Sequence, residues 1–322
     1  MKKFYLLIIA VMLVSACRGS GEGSLDDKLQ TGIDGLTLKF LKNGVPEVIE
    51  GNRLSMALEI RNEGFSYIED SLLVLYTEKD VLKLEKWDLP GRLRVNSDNS
   101  LSFNLRGKTL ANRKGEFELP SFTVKAEKID ESRNKIESMV GINACYRYYT
   151  IFSESLCIDT DPFGRKIASK SCKAKDISSS SQGAPVAITK VEQSIFPAET
   201  PDSAIIELNI YIENKGKGIL IDPEKYKDAC LGKGQGFNSI LLTKLKFSWY
   251  EYNYEGLSDF ECSPNPIEQR KKEYVVRCRL KEESAIPSET LTFETPLLIE
   301  LYYGYKISDS IRIDVLNDER SN

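Results

Sequence analysis

A chain of 322 residues with 44 lysines and arginines against 48 aspartates and glutamates carries a formal charge of −4, and it contains no histidine. The mildly acidic, mixed surface excludes the basic footprint that nucleic acid demands. Without histidine there is no Ser-His-Asp or Cys-His catalysis and no histidine metal site, so only lysine- or carboxylate-driven chemistry stays open, and no cofactor is called for.

Met1-Lys2-Lys3 opens the chain, an apolar run follows from Phe4 to Val14, and the small pair Ser15-Ala16 precedes Cys17. These are the parts of an export signal. The run is shorter than the ~20 apolar residues that cross a bilayer. Val14-Ser15-Ala16-Cys17 resembles the lipobox of exported lipoproteins. The resemblance implies that residues 1–16 are removed and that Cys17 becomes a lipidated N-terminus. It also implies that the protein is extracytoplasmic, held to the outer face of a cell membrane by a lipid anchor. Loss of Lys2 and Lys3 then moves the charge from −4 to −6. Glycine and serine make residues 17–28 a flexible tether, and a diacyl group meets the two-chain condition for stable anchoring.

Beyond the tether, alternation dominates. Leu54, Met56, Leu58 and Ile60 share one face, with Glu59 and Arg61 on the other; Ile206, Leu208, Ile210 and Ile212 repeat the pattern. A period of two marks half-buried strands. Each strand runs into Asn-x-Gly, at Asn62-Glu63-Gly64 and Asn214-Lys215-Gly216, and each reads as a chain reversal at positive φ. Later in each half, Ile142–Asp159 aligns with Ile299–Asp314, with Tyr146-Arg147-Tyr148 falling on Tyr303-Gly304-Tyr305. Both stretches read as hairpins turning at Ser153-Glu154-Ser155 and Ser308-Asp309-Ser310. Their tyrosines read as packing at sandwich corners. Two matches in the same order predict a duplicated domain: one β-sandwich over 29–160, a serine-rich linker over 161–185, a second sandwich over 186–317 and a tail over 318–322. One short helix is expected in Asp222–Cys230, from a capping aspartate and a proline at the first helical position. The fold class is therefore all-β, as two tandem immunoglobulin-like sandwiches.

"LEIRNEGF" (Leu58–Phe65) and "LNIYIENKGKG" (Leu208–Gly218) resemble the second-strand signature of CARDB-type and related immunoglobulin-like repeats of prokaryotic surface proteins. The resemblance implies extracytoplasmic tandem sandwiches that bind or display instead of catalysing, and it brings no catalytic residues.

Six further cysteines, Cys145, Cys157, Cys172, Cys230, Cys262 and Cys278, read as disulfides in an exported chain. Short loops favour Cys157–Cys172 and Cys262–Cys278, while a hairpin bond Cys145–Cys157 competes with the first. Zinc is not expected, since no C-x-x-C pair occurs.

On an unbroken strand through "LTKLKFSWYEYNYEG", Tyr250, Tyr252 and Tyr254 continue the wet face of Lys244 and Lys246, with Trp249 beside them. Exposed aromatics in a row suit a protein partner or a sugar ring. The competing reading is a bulge that flips the register or a loop that covers them. Asp159 and Asp161 could hold calcium but lack the spread of oxygen ligands it needs. Leu231–Phe237 has the glycine spacing of a phosphate loop without its Gly-Lys-Ser/Thr end. Ser132 and Lys135 lie three apart in a charged turn, a poor setting for a Ser/Lys hydrolase. These readings point to a non-enzymatic binding or scaffold subunit at the cell surface, and alternatively to a carbohydrate- or solute-binding protein.

Overall fold

The computed structural model describes residues 29–318 except 42–45, 90, 162–163, 165–168, 235–237, 269–272, 288 and 290–291. The leader 1–16, Cys17, the rest of the tether to residue 28, and residues 319–322 lie outside the described residues.

Alternating sequence becomes sheet here because each apolar face leaves water. In the strand Arg53–Asn62, Met56, Leu58 and Ile60 are buried, while Arg61 and Glu59 pair on the other face at 3.0 Å. Ser203–Asn214 buries Ile206, Leu208, Ile210 and Ile212 in the same way. Each such side chain contributes about 1.5–3 kcal/mol. Three sheets result, and the fold is all-β. One outer sheet orders Leu36–Leu41, Arg53–Asn62, Ser121–Ala126 and Leu82–Asp88. The other orders Ile177–Ser178, Val186–Pro197, Ser203–Asn214, Glu273–Leu280 and Phe260–Ser263. The third is a ten-stranded sheet, central to the fold, whose middle is a pair of 25-residue strands, Lys135–Asp159 and Thr292–Leu316.

These two strands are antiparallel over their whole length, from Lys135 opposite Leu316 to Asp159 opposite Thr292. At about 3.3 Å per residue they span ~80 Å. The expected hairpins over Ile142–Asp159 and Ile299–Asp314 are therefore absent. Ser153-Glu154-Ser155 and Ser308-Asp309-Ser310 are exposed or half-buried stations on continuous strands, each facing a residue of the partner strand. Turn-forming composition loses to a long ladder, because every backbone group in the ladder already has a partner. Even-numbered residues of the first long strand (Val140, Ile142, Ala144, Tyr146, Tyr148, Thr150, Phe152) are buried, as are odd-numbered residues of the second (Leu297 to Tyr305, Ile311 to Val315). Interrupted at the exposed Glu154 and the half-buried Ile307 and Asp309, one parity faces inward along both strands, so both outer sheets cover the same face of the central sheet, and their buried side chains form one continuous core.

The halves are thus not separate beads. The first long strand pairs with Ile68–Thr77 through Val140–Cys145, and the second pairs with Ser239–Phe247 through Leu297–Tyr303. Each strand then runs on alongside the other half. The stretch expected as a linker is also built in. Ile177–Ser178 pairs with Val191 and Lys190, and the buried Gln182 holds the Ile188 backbone with bonds of 2.9 and 3.1 Å. The expected helix starts later than its proline suggested, at Tyr226, and ends at Cys230. Asp222 caps a turn instead, accepting from the Glu224 amide at 2.8 Å.

Candidate functional site

The two sequence repeats meet at the centre of the molecule as one hydrogen-bonded device made twice. The Leu36 amide donates to the Tyr146 hydroxyl at 3.1 Å, and the Val186 amide donates to Tyr303 at 3.4 Å. Tyr148 accepts from the Ser66 amide (3.1 Å) and donates to Asn62 Oδ1 (3.4 Å); Tyr305 accepts from the Gly218 amide (3.0 Å) and donates to Asn214 Oδ1 (2.9 Å). Asn62 Nδ2 reaches Ser66 O and Asn214 Nδ2 reaches Gly218 O. In each half, Asn-x-Gly and Tyr-x-Tyr are two parts of the same construction. Gly64 and Gly216 do not serve as positive-φ reversals, since neither is among the residues with φ above zero. They are glycine because a Cβ at either position would overlap the hydroxyl of Tyr148 or Tyr305.

Tyr146 lies opposite Tyr305 and Tyr148 opposite Tyr303, so the rings close a cycle with centroids 5.6–6.3 Å apart. All four are buried at the seam between the halves instead of at sandwich corners. Burial pushes their hydroxyls above the usual tyrosine value, that of Tyr305 to about 12. The quartet is a structural pin.

The expected aromatic face on Trp249, Tyr250, Tyr252 and Tyr254 is broken up. Ser248, at φ +51°, and Trp249 make a two-residue turn between Ser239–Phe247 and Tyr250–Asn253. Facing residues of a hairpin share a side, so Tyr250 and Tyr252, opposite Phe247 and Leu245, turn inward. Tyr250 is 5% exposed, and the Tyr252 hydroxyl accepts from Asn265 at 2.7 Å; Trp249, 71% exposed, sits at the turn with its ring 5.4 Å from that of Tyr250, and Tyr254 is exposed beyond the strand's end. Asp159 and Asp161 are buried, but a cation already sits between them. The Lys170 ammonium donates to Asp159 Oδ2 and to the Asp161 carbonyl, both at 2.6 Å. Among the described residues no group of acidic, cysteine or histidine side chains could hold a metal. Ser132 bonds Asp130, whereas Lys135 is held by Asp314 at 2.9 Å and its pKa is raised by that bond, so the two make no catalytic pair. Residues 231–234 of the glycine-rich stretch form a turn, and 235–237 lie outside the described residues.

All six cysteines pair: Cys157–Cys172, Cys262–Cys278 and Cys145–Cys230. The competing Cys145–Cys157 bond is ruled out because both sit on one extended strand, far beyond the ~6 Å disulfide span. Cys145 faces away from the main core. With Leu72, Ile221, Tyr226 and Cys230 it forms a second, small core that seats the helix Tyr226–Cys230 on the outer face of the central sheet. Tyr226 also donates to the Asp70 carbonyl, and Lys227 pairs with the Asp70 carboxylate. Burial alone would raise that carboxyl's pKa, but the bonds from Lys227 and Tyr226 together lower it.

Beside this helix the outer face opens into a cleft of about 480 Å³ lined by Phe65, Ser66, Tyr67, Glu69, Arg147, Tyr149, Ile151 and Tyr302. Tyr149 and Tyr302 face each other across the long strands, with ring centroids 4.7 Å apart and planes 31° from parallel. Tyr67 and Tyr149 are exposed. The Arg147 guanidinium lies 5.4 Å from the Tyr226 ring and interacts with Tyr302, whose hydroxyl burial pushes up against the opposing pull of that arginine. Such a surface offers apolar area, hydroxyls, the Arg147 cation and the Glu69 carboxylate. Sequence reasoning passed over it, although a signal was present. In Tyr148-Tyr149 and Tyr302-Tyr303 the tyrosines are adjacent, so on a strand one of each pair must face away from the buried quartet.

The molecule is therefore an all-β protein of fused sandwiches with an aromatic cleft on its open face. No protein-family model matches the chain, and no curated protein does. Among solved structures it is similar to a type I cohesin–dockerin complex from Clostridium thermocellum (17% identity, TM-score 0.24, 36% of this chain and 85% of that one). It is also similar to a structure of the sixth cohesin of Acetivibrio cellulolyticus scaffoldin B with a Cel5 dockerin (11%, 0.25, 35% and 86%). A third likeness is to the secreted serine protease VesC of Vibrio cholerae (10%, 0.21, 85% and 51%). At these TM-scores the likenesses say nothing of partner or activity. Three disulfides are the mark of an oxidising compartment, and no helix among the described residues is long and apolar enough to cross a membrane.

Proposed function

We propose that this chain is a lipid-anchored extracytoplasmic protein that acts, without catalysing a reaction, as a binding or scaffold subunit of an envelope assembly. The observation that carries the binding role is the outer-face cleft: tyrosines and a cation on a rigid double strand, the residue types that dominate protein contacts. The Val14–Cys17 string and the disulfides support the anchor and the compartment. Continuous pairing of the long strands supports a scaffold role, since it fixes the two sandwiches as one unit. Mass spectrometry of the mature protein tests the anchor. A diacylglycerol on an N-terminal Cys17, absent in Cys17→Ser, is expected; an intact Met1 refutes it. Crosslinking in intact cells tests the binding role, with a reproducible protein neighbour as the expected result.

A second reading, capture of a carbohydrate or other solute, loses its first platform with the burial of Tyr250 but is favoured by the Tyr149 and Tyr302 rings side by side on the open face. Glycan-array binding that disappears in Tyr149→Ala would support it.

A further inference from the structure

The two halves differ along the outer side of their first strands. Leu36 and Val186 are counterparts: each gives its amide to a quartet tyrosine, and each lies opposite the asparagine of its Asn-x-Gly. Two residues on, Leu38 and Ile188 correspond in the same way, opposite Ile60 and Ile212. In the second half the chain itself closes the outer side. Thr150 Oγ1 donates to the Val186 carbonyl at 2.6 Å, and the Gln182 side-chain amide serves both backbone groups of Ile188. Ser179 then bonds Thr189, and Ile177–Ser178 pairs with Val191 and Lys190. In the first half the Glu63 amide donates to the Gly35 carbonyl, which sets the alternation of the ladder. Odd-numbered residues of Leu36–Leu41 bond the strand Arg53–Asn62, and even-numbered ones turn their backbone groups away from it. Thr150 lies two residues beyond the tyrosine opposite Tyr303; the same place in the first half is Ile307, which has no hydroxyl. Gln182 precedes Val186 by four residues, and Gly32, four before Leu36, has no side-chain amide. The Leu36 carbonyl and both backbone groups of Leu38 therefore have no partner among the described residues.

Leu36 and Leu38 belong to the wall of a slot of about 330 Å³. Residues 33–38 form one side, Tyr305 and Ile307–Asp309 the other, and Tyr146, Pro185, Gly216 and Lys217 complete it. We propose that this slot takes an extended segment of a partner protein, which adds itself as a strand along Leu36–Leu38. The segment supplies to Leu38 the donor and acceptor that Gln182 supplies to Ile188, so the main chain carries the recognition. The opposite edge of the same sheet, Leu82–Asp88, is blunted against such pairing by Lys83, Glu85 and Lys86 and by a register break between Leu84 and Lys86. Leu36–Leu41 keeps unbroken register with its neighbour and carries one charge, Lys39. The chain's own tether is a poor occupant. Thr31 O is bonded to Lys108, and Gly32 to Ser181 and Gly183, so the chain does not fold back along Leu36–Leu41 as residues 177–182 do along Val186–Val191. Residues 18–28 are also rich in glycine, serine and aspartate, which strands disfavour.

The inference rests on the binding role proposed above, and the test separates the two. The photo-crosslinker p-benzoylphenylalanine is placed in the full-length protein in intact cells, at the exposed Ser308 in the slot wall and, separately, at Tyr67 in the outer-face cleft. Capture from Ser308 should yield one partner protein, with the joined peptide mapped by mass spectrometry. Leu38→Pro removes an amide that an added strand would use and the fold does not, while Leu38→Ala removes only the side chain. The first should cut the yield at least tenfold and the second less than twofold. Ile307→Thr gives the Leu36 carbonyl the partner its counterpart has, and should cut the yield at least threefold while urea unfolding shows the protein folded. That variant decides the matter where Leu38→Pro fails to fold. A synthetic copy of the captured segment, added to the purified protein, should slow hydrogen exchange at the Leu38 amide at least tenfold. Capture from Tyr67 alone overturns the slot assignment and leaves the binding role standing. Capture from neither overturns both. A Ser308 yield that ignores Leu38→Pro and Ile307→Thr, an adduct with residues 18–28 or with a second copy of this chain, or a Leu38 amide left unprotected by the peptide overturns the partner-strand proposal.

Discussion

Asn62 and Asn214 hold the same place in the duplicated device but unequal numbers of bonds, and that difference can be measured. Asn62 is fully buried and uses its whole side chain: Nδ2 donates to Ser66 O (2.8 Å) and Leu105 O (3.0 Å), while Oδ1 accepts from the Gly64 amide (3.1 Å) and Tyr148 (3.4 Å). Asn214 is half-buried and makes two bonds, to Gly218 O at 3.1 Å and from Tyr305 at 2.9 Å. A hydrogen bond contributes a net ~1 kcal/mol, and a buried partner left orphaned costs about 1–3. Asn62→Ala should therefore destabilise by about 4 kcal/mol, and Asn214→Ala by about 1–2, because water can reach its abandoned partners. Equilibrium urea unfolding at pH 7 measures both; the slope should be unchanged, since neither variant alters the area exposed. Equal losses, or a loss below ~1 kcal/mol for Asn62→Ala, would falsify the reasoning that burial and bond count set the cost.

The tyrosine quartet makes stability fall in alkali. An unfolded tyrosine ionises near pH 10, whereas Tyr305 holds its proton to about pH 12, so its contribution is complete below pH 10 and is lost between 10 and 12. Two units amount to on the order of 3 kcal/mol for this group alone, and a urea midpoint that stays flat across that window contradicts the burial argument. Tyr250→Ala should cost about 3–5 kcal/mol, while Trp249→Ala stays within about 0.5; thermal melts of the two variants should differ plainly, and similar melts would mean the hairpin turn is misplaced. Cys145 and Cys230 close a loop of sequence separation 85, for which chain entropy gives up to about 4–5 kcal/mol. The double alanine variant should speed hydrogen exchange at Tyr226–Cys230 far more than in the long strands, and uniform acceleration would show that the helix is not a local unit. Lys170→Ala leaves the buried Asp159 carboxylate without its cation and should cost about 3 kcal/mol; an unchanged melt would show that solvent already reaches that carboxylate.

The sequence by itself determined the all-β fold class; it also suggested the duplication and favoured the short-loop disulfides, with Cys145–Cys157 left competing against Cys157–Cys172. Strand periodicity is local, and repeated Asn-x-Gly and Tyr-x-Tyr strings are visible without coordinates. It determined as well that Leu58 and Ile60, and likewise Leu208 and Ile210 in the second half, would be buried, because a strand offers only two faces. What those strings do was decided in three dimensions. Asn62 meets Tyr148 across 86 positions, and Tyr146 meets Tyr305 across a ladder that reads locally as two turns. The Trp249 face fell to one positive-φ residue, which reversed the inward parity of everything after it. Cys145–Cys230 and the cleft joining Tyr67, Arg147 and Tyr302 likewise join residues far apart in the chain. Local pattern fixes which side of a strand a residue occupies; only long-range pairing decides what lies opposite it.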